Sequence, residues 1–415
     1  MLNLNRRPPC ASTKPGVSCL VLESCPAAMT FRRITLPRTV LVLGMVSLFN
    51  DIASEMITPL LPLFLTTTLG AGPAAVGLIE GLAEATASLL KLVSGRMADR
   101  RRNHKALVLG GYGVSNLARP FIGLAGAWAG VLVLRFFDRI GKGVRTSPRD
   151  ALISGAVGAS IRGRAFGFHR AMDHAGAMLG PLAAFALLQY GVGLRDVFLL
   201  SVIPGVALMV LLGRFLPGDR PVVAAPTPRL SWRCLDRRLR ALVLAAGGLA
   251  FATAPEAFLV LWVHQMGVTL LWIPLLWAAA HALRSVVAGF GGALSDRWGR
   301  LPVVIFGWGG RVVLLIALAL VPVTMAGAWG LFLAYAATTA STEGAERALI
   351  GDAAEDEQRG AAFGVYHMLY GLLALPGALF FGLLWEHFGM TTAFLSSGAL
   401  TAVAAILLLK LDRRR

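Results

Sequence analysis

The sequence predicts an all-α integral membrane protein: twelve transmembrane helices in two parallel six-helix bundles, with both termini in the cytoplasm. Three observations carry this prediction. Hydrophobic residues make up 56% of the 415 positions and charged residues only 15%, against roughly 25% charged residues in a soluble domain. The apolar residues fall in long runs rather than alternating patterns, and about 20 such residues cross a hydrocarbon core. Backbone amides in lipid must be bonded within their own segment, so each run is read as a helix. Finally, the basic residues collect in alternate connections, the positive-inside pattern.

The first span runs over 38–68, from just after Pro37 to the Thr66-Thr67-Thr68 cluster. The others centre near Leu82, Val114, Phe136, Ala177, Pro204, Ala250, Ala279, Leu314, Tyr335, Gly371 and Leu400. With the N-terminus inside, the cytoplasmic connections hold Arg96, Arg100, Arg101, Arg102 and Lys105, then Arg145, Arg149, Arg162 and Arg164, and later Arg297, Arg300 and Arg359. The short outer connections carry little beyond Arg195. A net charge of +17 would suit a nucleic-acid binder. Here the charge rims one membrane face instead of forming one folded patch, so no nucleic-acid partner is expected.

Cys10, Cys19, Cys25 and Cys234 all fall on the reducing side at spacings that match no zinc or redox motif, so neither a disulfide nor a cofactor is expected. Residues 1–37 read as a cytoplasmic tail without signal-peptide order, either disordered or the product of an over-called start, with Met29 as the alternative start. Residues 217–238, with Pro217, Pro221, Pro226 and Pro228 among basic residues, read as a cytoplasmic linker between bundles 38–216 and 239–415. The two bundles repeat at one offset. Asp296 and Arg297 lie 197 positions after Asp99 and Arg100, and Gly292 lies 197 after Gly95. The same offset relates Arg162-Gly163 to Arg359-Gly360, Phe166-Gly167 to Phe363-Gly364, and Gly70 to Gly267. Both copies face the cytoplasm, the arrangement of carriers that rock two bundles about a central site.

The loop after span 8 runs from Gly292 through Asp296 and Arg297 to Gly299 and Arg300; the loop after span 2 carries Gly95, Asp99 and Arg100. Both resemble the G-x-L-x-D-R-x-G-R signature of the major facilitator superfamily, although Arg102 stands where the second glycine of the first copy belongs. Span 4, from Arg135 to Gly143, resembles the family's R-F-x-Q-G-x-G-x-G segment, with Asp138 in the Gln position. Span 5 carries Gly176, Gly180 and Pro181, which resemble the start of the antiporter signature G-x-x-x-G-P-x-x-G-G; Ala184 and Phe185 replace its last glycines. The resemblance covers about 38–411. It implies a secondary transporter, not an enzyme, working as a monomer in a bacterial inner membrane by alternating access. The loop motifs would be its gate, and the antiporter-like segment points to proton-coupled export of a small organic molecule.

Ionisable groups at the bilayer centre cost about 2.5–3.5 kcal/mol on insertion scales, so each is a functional hypothesis. The N-terminal half holds Asp51 and Glu55 on one face of span 1, Glu80 and Glu84 in span 2, and Arg135, Asp138, Arg139 and Lys142 in span 4. Span 5 adds His169, Arg170, Asp173 and His174. The C-terminal half is sparser, with Glu256, His281, Arg284 and Arg311. The resemblance makes spans 1, 4, 7 and 10 line the cavity, so Asp51, Glu55, Arg135, Arg139 and Glu256 are the leading substrate and proton contacts, with Glu84 and Asp138 beside them. Burial raises a carboxyl pKa and a nearby Arg lowers it. A conformational change that alters their separation can therefore move a proton. The alternative is a static ion-pair network, for example Asp138 with Arg139 and Arg170 with Asp173.

His174 and Met178 share a helix face and would suit Cu(I), as in a copper-importing branch of the family. A packed Met with a polar His is the simpler reading, and no metal is assigned. Trp128, Trp262, Trp272, Trp329 and Trp385, near presumed span ends, suggest an interfacial belt. Two further readings stay open. The net-positive span 4 suits proton-coupled uptake of an anionic metabolite, and an integral-membrane enzyme on a lipid-linked substrate is the alternative from another class.

Overall fold

The computed structural model describes residues 36–101, 103–158, 161–217, 237–354 and 359–412. The side chains of 92, 95–101, 237–238, 359–361 and 411–412 are not among those described. The tail expected up to residue 37 and most of the linker over 217–238 therefore lie outside the described residues. The described residues contain helices and no strand. The helices make twelve passages in the order the hydropathy predicts. They are α1 (Arg38–Glu55), α2 (Pro73–Arg101), α3 (His104–Phe121), α4 (Trp128–Gly155), α5 (Arg162–Gln189) and α6 (Leu194–Leu200 continued by Val202–Phe215) in the first half. The second half holds α7 (Arg237–Ala252 continued by Glu256–Gln265), α8 (Ile273–Trp298), α9 (Arg300–Leu320) and α10 (Met325–Ala353). The last helical stretch, Arg359–Asp412, is two passages, because Gly389 turns the chain at φ 87. We call them α11 (359–388) and α12 (390–412).

Two passages break where proline removes an amide donor and blocks the preceding turn. α1 ends at Glu55, shortly before Pro59, and resumes through Leu61–Leu63 and a π-helical turn, Phe64–Thr68. α7 breaks before Pro255, which puts Glu256 in the first turn of the new segment, a favourable place for a carboxylate. A carbonyl freed inside a membrane needs a partner. The hydroxyl of Ser397 on α12 supplies one, donating to the carbonyl of Ala252 at 2.5 Å.

The 197-residue repeat is visible in the backbone: Gly70 and Gly267 close equivalent passages at φ 63 and 92. Between the halves, α2 packs on α11 and α5 on α8. Lipid provides no hydrophobic drive for this association, so close packing must hold it. Accordingly, a Cβ added at Gly77 would lie 2.3 Å from the carbonyl oxygen of Ala378.

The cores show how the halves sit. On the outer side one apolar cluster joins both, combining Ile57, Leu60 and Phe64 of α1 with Phe258 and Trp262 of α7 and Phe381 and Trp385 of α11. On the cytoplasmic side, among the described residues, every apolar cluster belongs to a single half: one around Leu43, Tyr112 and Leu208, others around Val243 and Tyr366 and around Val304 and Trp308. The outer side is sealed and the inner side is divided, which is the inward-facing arrangement. Trp262 and Trp385 are buried in the outer seal, so they correct the belt reading. Trp128 and Trp272 are exposed on the outer surface, where a belt belongs.

Candidate functional site

A cavity of about 300 Å³ lies between the halves. Glu55 comes from α1, Glu80 and Glu84 from α2, Arg135, Arg139 and Lys142 from α4, Glu256 from α7, and Trp277 and His281 from α8. The i, i+3, i+4 spacing on α4 and α2 turns each set toward one side. A second lobe reaches Thr253 at the α7 break and Tyr370 on α11.

Behind the α4 wall sits a charge cluster. Asp138 is 1% exposed. It accepts from Arg119 Nε at 2.8 Å, pairs with Arg135 at 3.4 Å and lies 3.8 Å from Arg139. Arg135 also reaches Glu80 at 3.5 Å, and Arg119 donates to Asn50 Oδ1 at 3.0 Å. One carboxylate thus orients three guanidiniums. Asp138 does not line the cavity, whereas Arg135 and Arg139 do. Sequence pattern alone does not single out Arg119. An arginine beside Pro120 in an apolar span was the available signal.

Across the cavity the contacts change character. Trp277 Nε1 donates to Glu55 Oε2 at 3.0 Å, and His281 Nε2 lies 3.7 Å from the same oxygen. These two contacts run from the first half to the second. Glu256 stays within its own half, paired with Arg284 at 2.7 Å.

Of the sequence-predicted residues, Glu55, Glu84, Arg135, Arg139 and Glu256 therefore line one space. Asp51 does not line it. Its carboxylate accepts from Asn50 Nδ2 at 2.8 Å, and its stem lies under α5, where a Cβ at Gly176 would meet Asp51 Cβ at 2.8 Å. A Cβ at Gly180 would meet the carbonyl oxygen of Ile52 at 2.7 Å. Gly176, Gly180 and Pro181 thus let α5 lie directly on α1. Asp173 pairs with His169 at 3.4 Å and accepts from Ser47, whereas Arg170 is exposed; the expected Arg170–Asp173 pair is replaced by these. His174 and Met178 are exposed on α5.

In the loop after α8, Gly299 makes the turn at φ 91, a conformation that glycine reaches without strain. Arg300 then reaches back to Asp296, to Ser295 Oγ at 3.0 Å and across to Asp352 of α10 at 3.4 Å. Arg297 is exposed, and no side chain crowds Gly292. This copy of the motif ties α8 to α10 inside one half. The side chains of Gly95, Asp99 and Arg100 at the end of α2 are outside the description.

Comparison with known proteins agrees with this architecture. The chain is 29% identical over 384 residues to an uncharacterized MFS-type transporter of Methanocaldococcus jannaschii, covering 90% of this chain and 95% of that one. It is 31% identical over 380 residues to an uncharacterized protein of Mycobacterium tuberculosis, covering 84% and 87%. In fold it is similar to a bacterial homologue of the human lysosomal transporter Spinster, at a TM-score of 0.74 and 18% identity over 90% of this chain and 96% of that one. The family model described as Major Facilitator Superfamily matches residues 43–345. With two six-helix halves around a charged cavity, the chain is a multi-pass membrane protein that belongs to the Major Facilitator Superfamily of transporters.

Proposed function

We propose that the protein is a proton-coupled exporter of a small charged organic molecule, with Glu55 as the coupling carboxylate. The observation that carries this is the bridge from Glu55 to Trp277 and His281 in the opposite half. A hydrogen bond to an ionised carboxylate is roughly twice as strong as one to a neutral group. Ionised Glu55 therefore favours the inward-facing state, and a proton or a cationic group on the ligand releases it. A species that binds two states unequally shifts their populations. The empty, ionised carrier rests inward-facing and turns outward after taking up one or the other.

The tight α5–α1 contact at Gly176 and Gly180 matches the antiporter-like segment and supports export. The cationic wall of Arg135, Arg139 and Lys142 favours a second reading, uptake of an anionic metabolite. In either direction the carrier would work as a monomer in a bacterial cytoplasmic membrane, with protons and a small solute as its ligands. A screen of metabolites and toxic compounds in strains lacking and overexpressing the gene identifies the solute. Its accumulation in everted vesicles with and without a pH gradient then decides. Gradient-driven accumulation supports export, and accumulation confined to right-side-out vesicles supports uptake. Transport indifferent to the gradient refutes proton coupling.

A further inference from the structure

The charges lining the cavity do not close on one another. Glu256 is occupied by Arg284 at 2.7 Å, and Glu80 by Arg135 at 3.5 Å. Arg139 lies 3.8 Å from Asp138, but Arg119 and Arg135 already share that carboxylate, and the buried Arg139 Nε has no hydrogen-bond partner. Lys142, three residues along the same face of α4, lines the same space. Among the described residues no side chain lies within hydrogen-bond or ion-pair distance of its ammonium, and Glu84 is the carboxylate that acts on it electrostatically from across the cavity. Two carboxylates are also left. Glu84 accepts from Ser88 Oγ at 3.2 Å, and Glu55 accepts from Trp277 Nε1 at 3.0 Å with His281 at 3.7 Å. Two cations on α4 thus face the cavity along with two carboxylates held by hydroxyl, indole and imidazole groups.

We infer that the ligand is a zwitterion of amino-acid type, its carboxylate held by Arg139 and Lys142 and its ammonium by Glu55 against the face of Trp277. This rests on reading the cavity as the transport site and adds the ligand's charge pattern. Uncompensated charge away from bulk water is costly. A ligand bearing both charges completes both sets. A simple anion leaves Glu55 with only the indole and imidazole beside it, and a simple amine leaves the Arg139 Nε and the Lys142 ammonium without an acceptor. An indole face beside a carboxylate adds cation–π attraction for an ammonium. The lobe that Glu55, Arg139 and Lys142 line, about 300 Å³, sits at the small end of ligand sites, which suits a compact molecule.

The test is ligand binding to the purified full-length protein in detergent at one fixed pH, read by thermal shift and tryptophan fluorescence. The probes are ω-amino acids of increasing chain length, each with the alkanoate and alkylamine of equal length. At least one amino acid binds at least tenfold more tightly than both of its partners. Lys142→Gln removes a charge that no hydrogen bond or ion pair ties into the fold; in this variant the advantage over the alkylamine falls toward one. Glu55→Gln can still accept from Trp277, and in it the advantage over the alkanoate falls toward one. An alkanoate or alkylamine that matches the amino acid, or a series in which no member binds, overturns the inference. No gradient is present in this assay, so its failure is separate from a failure of proton coupling in vesicles.

Discussion

The two halves share a scaffold and divide the chemistry unequally. In the first half, Asp138, Arg119, Arg135, Arg139 and Glu80 form a connected buried network. In the second half the charges stand apart. Glu256 pairs with Arg284, and buried Arg311 has no ion pair among the described residues and reaches the hydroxyl of Thr253 at 3.5 Å. The glycine turns at Gly70 and Gly267 are duplicated, but the charge network is not. The repeat therefore specifies how two bundles are built. Specific chemistry lies in what one half has and the other lacks, and the bridge at Glu55 connects them.

The largest effect expected from breaking this asymmetry is at Asp138. Asp138→Asn leaves three guanidiniums around a neutral group, and breaking a buried pair costs about 3–5 kcal/mol. The melting temperature in detergent should fall by many degrees; an unchanged value would show that the network is not structural. A smaller loss, about 1–3 kcal/mol from overpacking, is expected for Gly180→Val, because the fixed backbone of α1 faces that position. Gly292→Ala in the second half meets no atom within 4 Å. It should leave stability unchanged or raise it by up to about 1 kcal/mol, the helix-propensity difference. Similar melting of the two glycine variants would refute the packing account. The smallest effect belongs to Glu256→Gln. Glu256 is 39% and Arg284 21% exposed at the side chain, so losing this pair costs under about 1 kcal/mol. A loss as large as that of Asp138→Asn would make the two halves equivalent.

Features set by composition over many residues were legible in the sequence. Twelve spans and their orientation rest on averages that a local error leaves intact, and the repeat rests on several residue matches at the same offset. The family resemblance points to Asp51, Glu55, Arg135, Arg139 and Glu256 as cavity residues; all but Asp51 border it, and charge in an apolar span does not by itself separate them from the buried Asp138 and Arg119. Neighbours across helices were not legible. Asp51 and Glu55 sit one helical turn apart, yet Asp51 lies under α5 and Glu55 faces α8. A turn offset rotates a side chain by only about 40°, and which neighbour lies there depends on packing. Arg170 and His169 show the same limit: adjacent in sequence, only His169 meets Asp173. Trp262 and Trp385 resemble belt residues near span ends, but the seal between the halves buries them.

The central claim is that protonation of Glu55 releases the inward-facing state. It can be measured without knowing the solute. Spin labels at Arg164 of α5 and Gly344 of α10, both exposed on opposite halves, report the separation of the inner ends in a protein whose cysteines are replaced by serine. As pH falls, the account predicts that the long inter-label distance gives way to a shorter one. In Glu55→Gln the shorter distance dominates at every pH. A Glu55→Gln protein that keeps the pH response of the parent would contradict it.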